Sequence, residues 1–541
     1  MTWDYVLVGA GTAGCVLAAR LSEDPSVQVL LLEAGDRDTA REIAVPAAFS
    51  KLFKTRNDWD YATEPEAGCD DRAMYWPRGK VLGGSSSINA MIYIRGARAD
   101  YDGWRDNGCQ GWGFDDVLPY FTRSEDNSRG ADAFHGVGGP LPVTDQRSPS
   151  PLSADYLDAC EQAGLHRNPD FNGAQQEGVG SYQVTQRKGQ RASTASAFLR
   201  PALKRPNLQV RTFAHTTRVV VEDGRAVGVE VDFSGRREVF RASREVVLCG
   251  GAVNTPQLLL LSGIGPADEL RALGLDVVVD SPNVGRGLQD HLAVSAVYTA
   301  NAPVSYFGAD RKAAVLAQYL LARKGPFSSN IAEAGGFVRT RSDLPGPDLQ
   351  LLFGPAMFVE HGLVDPPGHG FSLGPYLLTP QSRGSITLRS ADPLAKAVVR
   401  ANYLSERADL DVLVEGMRLS LEIASRPALR RHSGGRWLPA VGADDDAALR
   451  AHVRARAETI YHPTSTAAMG ADDKAVCDPQ LRVRGVQGLR VADASVLPDV
   501  PRGNTNAPVI MVAEKAADLL REVPAPPLQR AATPAPDRSR A

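Results

Sequence analysis

The chain has 541 residues, 43% of them hydrophobic, and a formal net charge of −3 at neutral pH. Because one hydrophobic core rarely supports such a length, we expect two domains or one elaborated α/β domain. The near-neutral charge, without a long run of Lys or Arg, argues against a nucleic-acid-binding protein.

The N-terminal segment has the pattern of a strand, a glycine-rich turn, a helix and a second strand. The turn is a G-x-G-x-x-G motif at residues 9–14, and a helix is predicted at 15–21. Two glycines let the backbone approach a pyrophosphate, and the third lets the helix pack on the sheet. Glu33 ends the predicted strand 27–32, at the spacing where a carboxylate accepts a hydrogen bond from a ribose hydroxyl. These features predict a dinucleotide-binding site without distinguishing FAD from NAD.

Two further patterns follow along the chain. Strand-like runs at 217–222 and 227–231 are separated by Asp-Gly, which predicts a hairpin. The segment 251–265 follows a buried strand predicted at 245–249. Pro256 suits the first turn of a helix, so we expect a second strand–turn–helix unit whose helix opens at this proline.

The middle of the chain has a different predicted secondary structure from the N-terminal part. Several short strands separated by Pro and Gly indicate a largely antiparallel sheet, which we expect to cover the cofactor-binding part. The predicted strands are 349–353, 371–378, 385–389, 397–400 and, near the C-terminus, 490–496. The predicted helices are 153–165, 313–322, a helical region over 407–456, and 506–522. The tail 523–541 has few apolar residues and is predicted to be disordered.

Two segments carry a more specific signal. GKVLGGSSSINAMIYIRG (79–96) has a glycine pair and three serines before an asparagine, and GAVNTPQLLLLSGIG (251–265) opens the second unit. With the N-terminal motif they resemble the glucose–methanol–choline (GMC) oxidoreductases, FAD enzymes that oxidise alcohols. The resemblance extends from residue 3 to about 520. NAMIYIRG, VGRGLQDH and NTNAPVIMVAEKAADLL look most like choline dehydrogenases and bacterial alkanol dehydrogenases.

The resemblance implies an α/β fold in two parts. A Rossmann-like FAD-binding domain would be joined to a discontinuous substrate-binding domain built on a largely antiparallel sheet. The FAD-binding domain is predicted at 1–150, 190–298 and 455–522, and the substrate-binding domain at 151–189 and 299–454. In family terms, the N-terminal region spans about 3–297 and the C-terminal region about 375–515.

The resemblance also implies a catalytic pair. His462, in Tyr-His-Pro, takes the position of the base, and Asn506, in Asn-Thr-Asn-Ala-Pro, takes that of its partner. A histidine suits the removal of the alcohol proton while hydride passes to flavin N5, and an amide holds the substrate oxygen without adding charge. We expect His291, in Gly-Leu-Gln-Asp-His, to structure a turn beside the cofactor domain.

FAD is expected to be bound non-covalently. Some family members tether the flavin to a histidine after the serine run, and Ile88 stands at that place here. Val219 is expected near the adenine, and Asp493 near a hydroxyl of the ribityl chain, although Asp493 also suits a helix N-cap. The predicted cofactor contacts are Gly9, Gly11, Thr12, Ala13, Gly14, Glu33, Val81, Gly83, Asn89, Ala90, Met91, Ile92, Val219, Asp493, Ala494, Asn506 and Ala507.

The favoured function is oxidation of a primary alcohol to the aldehyde, with electrons passed to a quinone or another acceptor. An oxidase that uses O₂ directly is an alternative, as are a non-redox hydroxynitrile lyase and a light-driven decarboxylase on the same scaffold. A nicotinamide dehydrogenase is disfavoured, because the segments 79–96 and 251–265 would have no role in it. Choline would need an anionic or aromatic cage, for which Glu333 and Glu360 are candidates; we favour a different primary alcohol.

The sequence also bears on location and partners. The first predicted strand starts at residue 3, and no apolar run approaches ~18 residues, so neither a signal peptide nor a membrane-spanning helix is predicted. We expect a cytoplasmic protein, with peripheral contact to the inner membrane left open. The six scattered cysteines argue against a disulfide framework and a metal site. The oligomeric state is not predicted.

Overall fold

Two large β-sheets organise the chain. The computed structural model describes residues 2–440 and 442–527. The first sheet has seven strands, the second has eight, and helices pack around both. This architecture confirms the predicted α/β class, with a Rossmann-like part and a second part built on an antiparallel sheet.

The seven-stranded sheet carries the glycine motif. Its strands lie in the spatial order Leu208–Arg211, Val29–Leu32, Thr2–Val8, Arg236–Leu248, Arg225–Phe233 and His215–Glu222, with Leu489–Val491 also paired to Arg236–Leu248. The first four strands pair with one another in parallel, and Leu489–Val491 is parallel to Arg236–Leu248. Arg225–Phe233 is antiparallel both to Arg236–Leu248 and to His215–Glu222. Leu7 and Leu31 are completely buried, as expected of parallel strands that are covered on both faces.

The predicted hairpin forms one edge of this sheet. Val219 pairs with Val229, and the turn between the two strands is Asp223-Gly224. Both turn residues have positive φ, 49° and 74°, which matches the twist of a two-residue hairpin turn. The Asp-Gly pair therefore predicted both the turn and its backbone conformation.

The eight-stranded sheet confirms the antiparallel arrangement predicted for the middle of the chain. Its strands lie in the order Ser433–Leu438, Ala296–Ala300, Gly370–Leu377, Leu349–Gly354, Ala334–Val338 and Gly178–Ser181, with Leu292–Ala293 attached to Gly370–Leu377 and Glu458–Thr459 attached in turn to Leu292–Ala293. Every pair in it is antiparallel. The smaller ladders are Arg286–Leu288 with Gly384–Thr387 and Val398–Arg400, Ile264–Gly265 with Val279–Asp280, Tyr61–Ala62 with Tyr75–Trp76, Glu125–Asn127 with Leu141–Val143, and Gln186–Arg187 with Gln190–Arg191.

Helices surround the two sheets. The α-helices are Thr12–Leu21, Arg41–Ala44, Arg98–Asp106, Phe114–Ser124, Pro151–Gln162, Arg200–Ala202, Gly251–Leu261, Ala267–Ala272, Ala313–Ala322, Arg407–Ser425, Pro427–Arg430, Asp446–Arg456 and Asn506–Arg521. Short 3₁₀-helices occur at Pro46–Leu52, Ala67–Cys69, Gly84–Ser87, Ala309–Arg311, Pro326–Ser328, Glu360–Gly362 and Ala494–Val496, and a short π-helix at Ala195–Leu199.

Two predicted elements near the C-terminus need correction. The region 407–456 is not helical throughout, because strand Ser433–Leu438 lies between its helices and pairs with Ala296–Ala300. The predicted strand 490–496 is shorter and consists of Leu489–Val491. Most of the tail predicted to be disordered lies outside the described residues.

The helix after the second glycine turn also differs from its prediction. It begins at Gly251, so Pro256 lies in its interior rather than in its first turn. A proline there cannot donate to the carbonyl of Ala252. That carbonyl instead accepts a hydrogen bond from Thr466 Oγ1 at 2.7 Å. The interior proline therefore opens the helix to a contact with the segment that follows His462.

A buried ionic network beside the ladder of Glu125–Asn127 and Leu141–Val143 should make stability depend on pH. His135 contacts Glu125 at 3.2 Å and Asp170 at 2.8 Å, and Glu125 is also paired with Arg95. Although burial opposes the charged form, these hydrogen bonds raise the pKa of His135 to about 9. A raised histidine pKa stabilises the folded state below the unfolded value of about 6.5, and this contribution is lost as pH rises through about 9.

We therefore expect a pH-dependent penalty for the variant His135→Gln. The unfolding midpoint of the variant should fall furthest below wild type near pH 6.5, and the gap should narrow by pH 9.5. Thermal unfolding of both proteins at equal FAD loading across this range measures the gap. A gap that stays constant would mean that His135 contributes only by packing.

Candidate active site

A cavity of about 380 Å³ lies between the two sheets. Strand ends and loops from both sheets line it, including Val8 and Leu32 from the first and Leu352 and Leu373 from the second. Most of the predicted site residues line this cavity: Gly9, Gly11, Thr12, Ala13, Glu33, Asn89, Ala90, Met91, Ile92, His462, Asp493, Ala494 and Asn506. The fold thus brings together segments that are up to about five hundred residues apart in the chain.

The glycine turn at one end of the cavity is packed backbone against backbone. Gly9 has φ +98°, and a methyl group on Gly14 would overlap the carbonyl oxygen of Gly9. A methyl group on Gly84, in the second glycine segment, would lie 2.6 Å from the Cα atom of Gly11. Only glycine satisfies these contacts, and the turn is left free to face a pyrophosphate.

Glu33 closes the same end. Its Oε2 accepts from the backbone N–H of Ala10, and its Oε1 from that of Gly35, both at 2.8 Å. Burial raises the pKa of this carboxyl group to about 7, and the two backbone hydrogen bonds only partly offset that effect. A buried carboxylate beside a glycine turn fits the ribose of a dinucleotide.

The region expected to face an adenine has a different lining from the predicted one. Val219 does not line the cavity, and its backbone N–H donates to Ser262 Oγ at 2.8 Å. Ala214, His215 and Thr216, at the start of the same strand, line it instead. Thr216 Oγ1 is buried without a hydrogen-bond partner, so this wall offers a free donor and acceptor to a ligand.

Four other predicted cofactor contacts lie behind the cavity wall. Val81 and Gly83 support the glycine turn, since Val81 bridges to Asp36 and the N–H of Gly83 donates to the carbonyl of Ala10 at 2.7 Å. Gly14 and Ala507 lie within their helices. None of the four lines the cavity, so a role in binding would be indirect.

Asp493 links the turn Ala494–Val496 to the glycine segment 251–265. Its Oδ1 accepts from the N–H and Oγ of Ser495, which caps the turn Ala494–Val496. Its Oδ2 accepts from the N–H of Gly251 at 2.8 Å and from Thr255 Oγ1 at 2.6 Å. The N-cap arrangement considered from the sequence is therefore present, and the carboxylate also fixes the second glycine turn at the cavity. Contact with a polyol hydroxyl stays a prediction.

Several residues that line the cavity have a left-handed backbone conformation. Met91, Ile331 and Tyr461 all line it and have φ values of 60°, 69° and 74°. The left-handed conformation is unfavourable for residues with a side chain, and most of all for β-branched isoleucine. Such strain persists where the surrounding structure imposes it, commonly at functional sites.

His462 follows Tyr461 in the chain and is held by three polar contacts. Its backbone N–H donates to Asp290 Oδ1 at 2.7 Å. Its Nδ1 lies 3.0 Å from Nδ1 of His291, and its Nε2 lies 3.2 Å from Nδ2 of Asn504. The side chain is only 8% exposed, so these contacts determine its orientation.

The two histidines determine each other's tautomers. His291 Nε2 lies 3.1 Å from the carbonyl oxygen of Leu378, which only accepts, so this nitrogen carries the proton. In neutral His291, Nδ1 is then an acceptor, and His462 must donate to it from its own Nδ1. The lone pair of His462 is therefore on Nε2, the nitrogen beside Asn504.

Both imidazoles are held neutral. Burial lowers the pKa of His291 to about 3. Burial, together with the positive charge of Arg78, lowers the pKa of His462 well below its usual value. At neutral pH, His462 therefore presents an unprotonated Nε2, which is the form that a general base requires.

The expected partner of His462 occupies a different place. Asn506 begins the helix Asn506–Arg521, and its Oδ1 accepts from Thr12 Oγ1 at 2.8 Å, beside the glycine turn. The amide in contact with His462 belongs to Asn504, which the sequence reasoning passed over although it lies in the same Asn-Thr-Asn motif. His291 was also missed as a site residue: it was assigned to a turn, whereas it contacts His462 directly. The motif contains two asparagines, and this was the available signal for Asn504. No sequence pattern pairs His291 with His462.

Comparison with known proteins decides the family. Two family models, both described as GMC oxidoreductase, match residues 3–293 and 380–513. The chain belongs to the GMC oxidoreductase family. The resemblance inferred from the three sequence signatures is thereby confirmed.

Named relatives of this GMC oxidoreductase act on alcohols. It is 44% identical over 526 residues to an alcohol dehydrogenase (acceptor) from Pseudomonas putida, covering 96% of this chain and 95% of the relative. It is 42% identical over 536 residues to human mitochondrial choline dehydrogenase, covering 97% and 90%. The similarity extends over nearly the whole of each protein, which supports the assignment of this chain as an oxidoreductase.

A solved structure supports the fold and the cofactor. A variant of Aspergillus oryzae formate oxidase, determined to study FAD modification, superposes with a TM-score of 0.89 at 30% identity, covering 96% of this chain and 98% of the other. The family and this neighbour imply FAD, and the glycine turn, Glu33 and the unpartnered Thr216 hydroxyl fit it. Within residues 2–440 and 442–527, no helix has the length and apolar character needed to cross a membrane. The same part of the chain has no group of three or more His, Cys, Asp or Glu arranged to hold a metal ion.

Proposed function

We propose that this GMC oxidoreductase is a dehydrogenase that converts a primary alcohol to the aldehyde with His462 as the base. The observation that carries the proposal is the neutral His462 whose Nε2 faces the cavity. The hydroxyl proton of the alcohol passes to this nitrogen, and the carbon gives up hydride as the oxygen loses its proton. FAD, when bound, supplies the acceptor for that hydride.

Two amides are candidates for holding the substrate oxygen. Asn504 Nδ2 is next to His462 Nε2, so it can donate to an oxygen that bridges the two side chains. Asn506, the partner expected from the family, is the second candidate: its Oδ1 accepts from Thr12 Oγ1, which leaves its NH₂ group as a donor, and the residue lines the same cavity. Both amides stabilise negative charge on oxygen without adding a charge of their own.

The FAD is proposed to be non-covalent. Ile88 lines the cavity immediately before Asn89, at the place where some relatives would attach the flavin to histidine. An isoleucine side chain has no nucleophilic atom. Denaturing the protein in acid or detergent should therefore release all the yellow colour into the supernatant, and protein-bound flavin after this treatment would contradict the proposal.

The cavity favours an uncharged, largely apolar alcohol. The residues that line the cavity include a set of apolar side chains: Val297, Ile331, Leu352, Phe358, Leu373 and Ile460. Glu333, one candidate for binding choline, lies outside the cavity and accepts hydrogen bonds from Ser153, Ser329 and Tyr306. Apolar walls bind alkyl or benzylic groups through burial of hydrophobic surface.

Choline is the second candidate substrate, because two acidic residues line the cavity in addition to Glu33 and Asp493. Glu360 and Glu458 both belong to its wall. Burial raises the pKa of Glu458 to about 7, and the charge of Glu360 adds to this rise, so the pair carries less than two negative charges at neutral pH. That is a weaker attraction for a quaternary ammonium than two full carboxylates would give.

One experiment separates these candidates. Anaerobic mixing of the holoenzyme with alkanols, benzyl alcohol and choline should bleach the flavin fastest with the apolar alcohols. Faster bleaching by choline would make choline the substrate. No bleaching by any alcohol would favour the non-redox lyase, and hydrocarbon formation from a fatty acid under illumination would favour the decarboxylase.

Electrons are proposed to leave through a quinone or a similar carrier rather than O₂. The similarity to an alcohol dehydrogenase (acceptor) supports this choice. Turnover with a quinone analogue or an artificial dye should greatly exceed peroxide formation in air. Equal rates in air would assign the enzyme to the oxidases.

His291 should act as a positioning residue. Replacing it with leucine removes the acceptor for His462 Nδ1–H, so the other tautomer becomes accessible and flavin reduction should slow by roughly 10²-fold. His291→Asn keeps an acceptor oxygen near that position and should retain most of the rate. The pH profile of anaerobic flavin reduction should shift in His291→Leu but not in His291→Asn, whereas damage to packing alone would slow both without moving the profile.

A further inference from the structure

The helix Ala313–Ala322 presents its apolar side to solvent. Its sequence is AAVLAQYLLA, and Tyr319 is its one buried residue. Leu321 is 89% exposed, Leu320 58% and Leu316 44%. A surface helix ordinarily turns such residues toward the core, so this orientation is the reverse of the usual one.

The exposed residues form a continuous stripe. Ala313, Leu316, Ala317, Leu320 and Leu321 follow the spacing i, i+3, i+4, i+7 and i+8, which places them on one face of the helix. The opposite face is anchored: the Tyr319 hydroxyl donates to the carbonyl of Gly189 at 3.2 Å, and its ring lies 5.8 Å from that of Phe327. The protein therefore fixes this helix with its leucines outward.

Basic residues flank the stripe at both ends. Arg311 and Lys312 precede the helix, and Arg323 and Lys324 follow it. The one acidic residue within 309–326 is Asp310, which leaves a net positive charge of three on this segment. Arg147 adds a further positive charge nearby, since its Nη2 donates to the carbonyl of Ala322 at 3.3 Å. An apolar stripe between basic ends is the pattern of a helix that lies in the surface of an anionic membrane.

The stripe lies beside the cavity. The turn Pro326–Ser328 follows the helix and packs on Pro46–Leu52, and the chain then reaches Asn330 and Ile331, which line the cavity. Leu363 and Val364 are 44% and 38% exposed and follow the cavity-lining Glu360. Gly362 packs against Ser50, so this second apolar spot borders the same Pro46–Leu52 segment.

We propose that the helix Ala313–Ala322 docks the enzyme on an anionic lipid bilayer. Its leucines enter the boundary between headgroups and acyl chains, and the four flanking basic residues contact the phosphates. A second copy of the chain is a poorer occupant. A two-fold contact between two such helices would bring Arg311 and Lys312 of one copy against the basic residues of the other.

Docking would hold the cavity at the membrane, where apolar alcohols and quinones are dissolved. The inference does not depend on the proposed reaction, because lipid binding is measured without turnover. It extends the sequence-based expectation of peripheral contact by naming the surface and the lipid class.

Flotation of the holoenzyme with lipid vesicles tests the proposal. Wild type should float with phosphatidylcholine vesicles that contain about a third phosphatidylglycerol, should bind pure phosphatidylcholine weakly, and should be released by high salt. The triple variant Leu316→Gln, Leu320→Gln, Leu321→Gln should bind at least about tenfold more weakly. A variant with all four flanking basic residues changed to Gln should lose its preference for phosphatidylglycerol.

A matched control comes from elsewhere on the surface. Leu394 is 60% exposed and is not part of the stripe, so Leu394→Gln should bind vesicles like wild type. Turnover with a soluble alcohol and dye should be unchanged in all these variants, which verifies that they are folded. The proposal is overturned if the triple variant floats like wild type, or if wild type binds pure phosphatidylcholine equally well. It is also overturned if light scattering shows that the leucines hold two copies together while vesicles are not bound.

Discussion

Replacing His462 with alanine should slow flavin reduction by about 10²- to 10⁴-fold while leaving FAD bound. The change removes the imidazole nitrogen whose lone pair, by the tautomer argument, lies beside Asn504. The glycine turn and Glu33, which fit the other end of the cofactor, are untouched. Anaerobic stopped-flow measurement of flavin bleaching gives the rate, and the visible spectrum before mixing gives the FAD content.

A histidine outside the cavity provides the control. His166 is exposed, and its Nε2 contacts the carbonyl of Glu177 at 3.1 Å. His166→Ala should reduce its flavin at the wild-type rate. If His462→Ala bleached within threefold of wild type, another group would have to take the proton.

The same assay distinguishes the two asparagines. Asn504→Ala removes the amide that contacts His462, and Asn506→Ala removes the one that contacts Thr12. Whichever variant loses more of the reduction rate identifies the amide that holds the substrate oxygen.

Gly14→Ala should abolish FAD binding or prevent folding of the N-terminal unit. The added methyl group overlaps the carbonyl oxygen of Gly9, which is backbone and cannot rotate away. Relief requires the helix Thr12–Leu21 to move from the sheet or the turn to move into the cavity. Overpacking of this kind typically costs about 1–3 kcal/mol even where side chains can adjust.

A second glycine-to-alanine substitution is the matched control for Gly14→Ala. Gly103 lies in the helix Arg98–Asp106, and a methyl group there meets nothing within 4 Å. Gly103→Ala should bind FAD normally and stabilise the protein by roughly 0.5–1 kcal/mol. For both variants, the FAD-to-protein ratio after purification measures cofactor binding. The unfolding midpoint with added FAD measures stability. Normal FAD affinity in Gly14→Ala would refute the close packing of the turn.

Local patterns predicted the elements whose physical cause is local. The G-x-G-x-x-G turn, the Asp-Gly hairpin and the helix Ala313–Ala322 all depend on residues that are neighbours in the chain. Pro256 shows the limit of such reasoning. A proline is disfavoured inside a helix unless the freed carbonyl finds another donor, and that donor, Thr466, is 210 positions away in sequence.

The residues of the candidate site likewise include some that local sequence identifies and others that only tertiary contacts identify. The sequence brought forward His462 because its neighbours resemble those of a catalytic base. His291 could not be recognised, since its role depends on the 3.0 Å contact between two rings that are 171 positions apart. Glu333 and Glu360 looked equivalent in the sequence, and only the packed structure puts Glu360 in the cavity wall and Glu333 outside it.

The sequence by itself therefore determined the family, the dinucleotide turn and the histidine that serves as candidate base, because short motifs carry them. The tertiary structure decided which nitrogen of His462 is free, which asparagine contacts it, and which side of the helix Ala313–Ala322 faces outward. These features depend on distances and burial between segments that are remote in the chain, and composition and periodicity do not encode them.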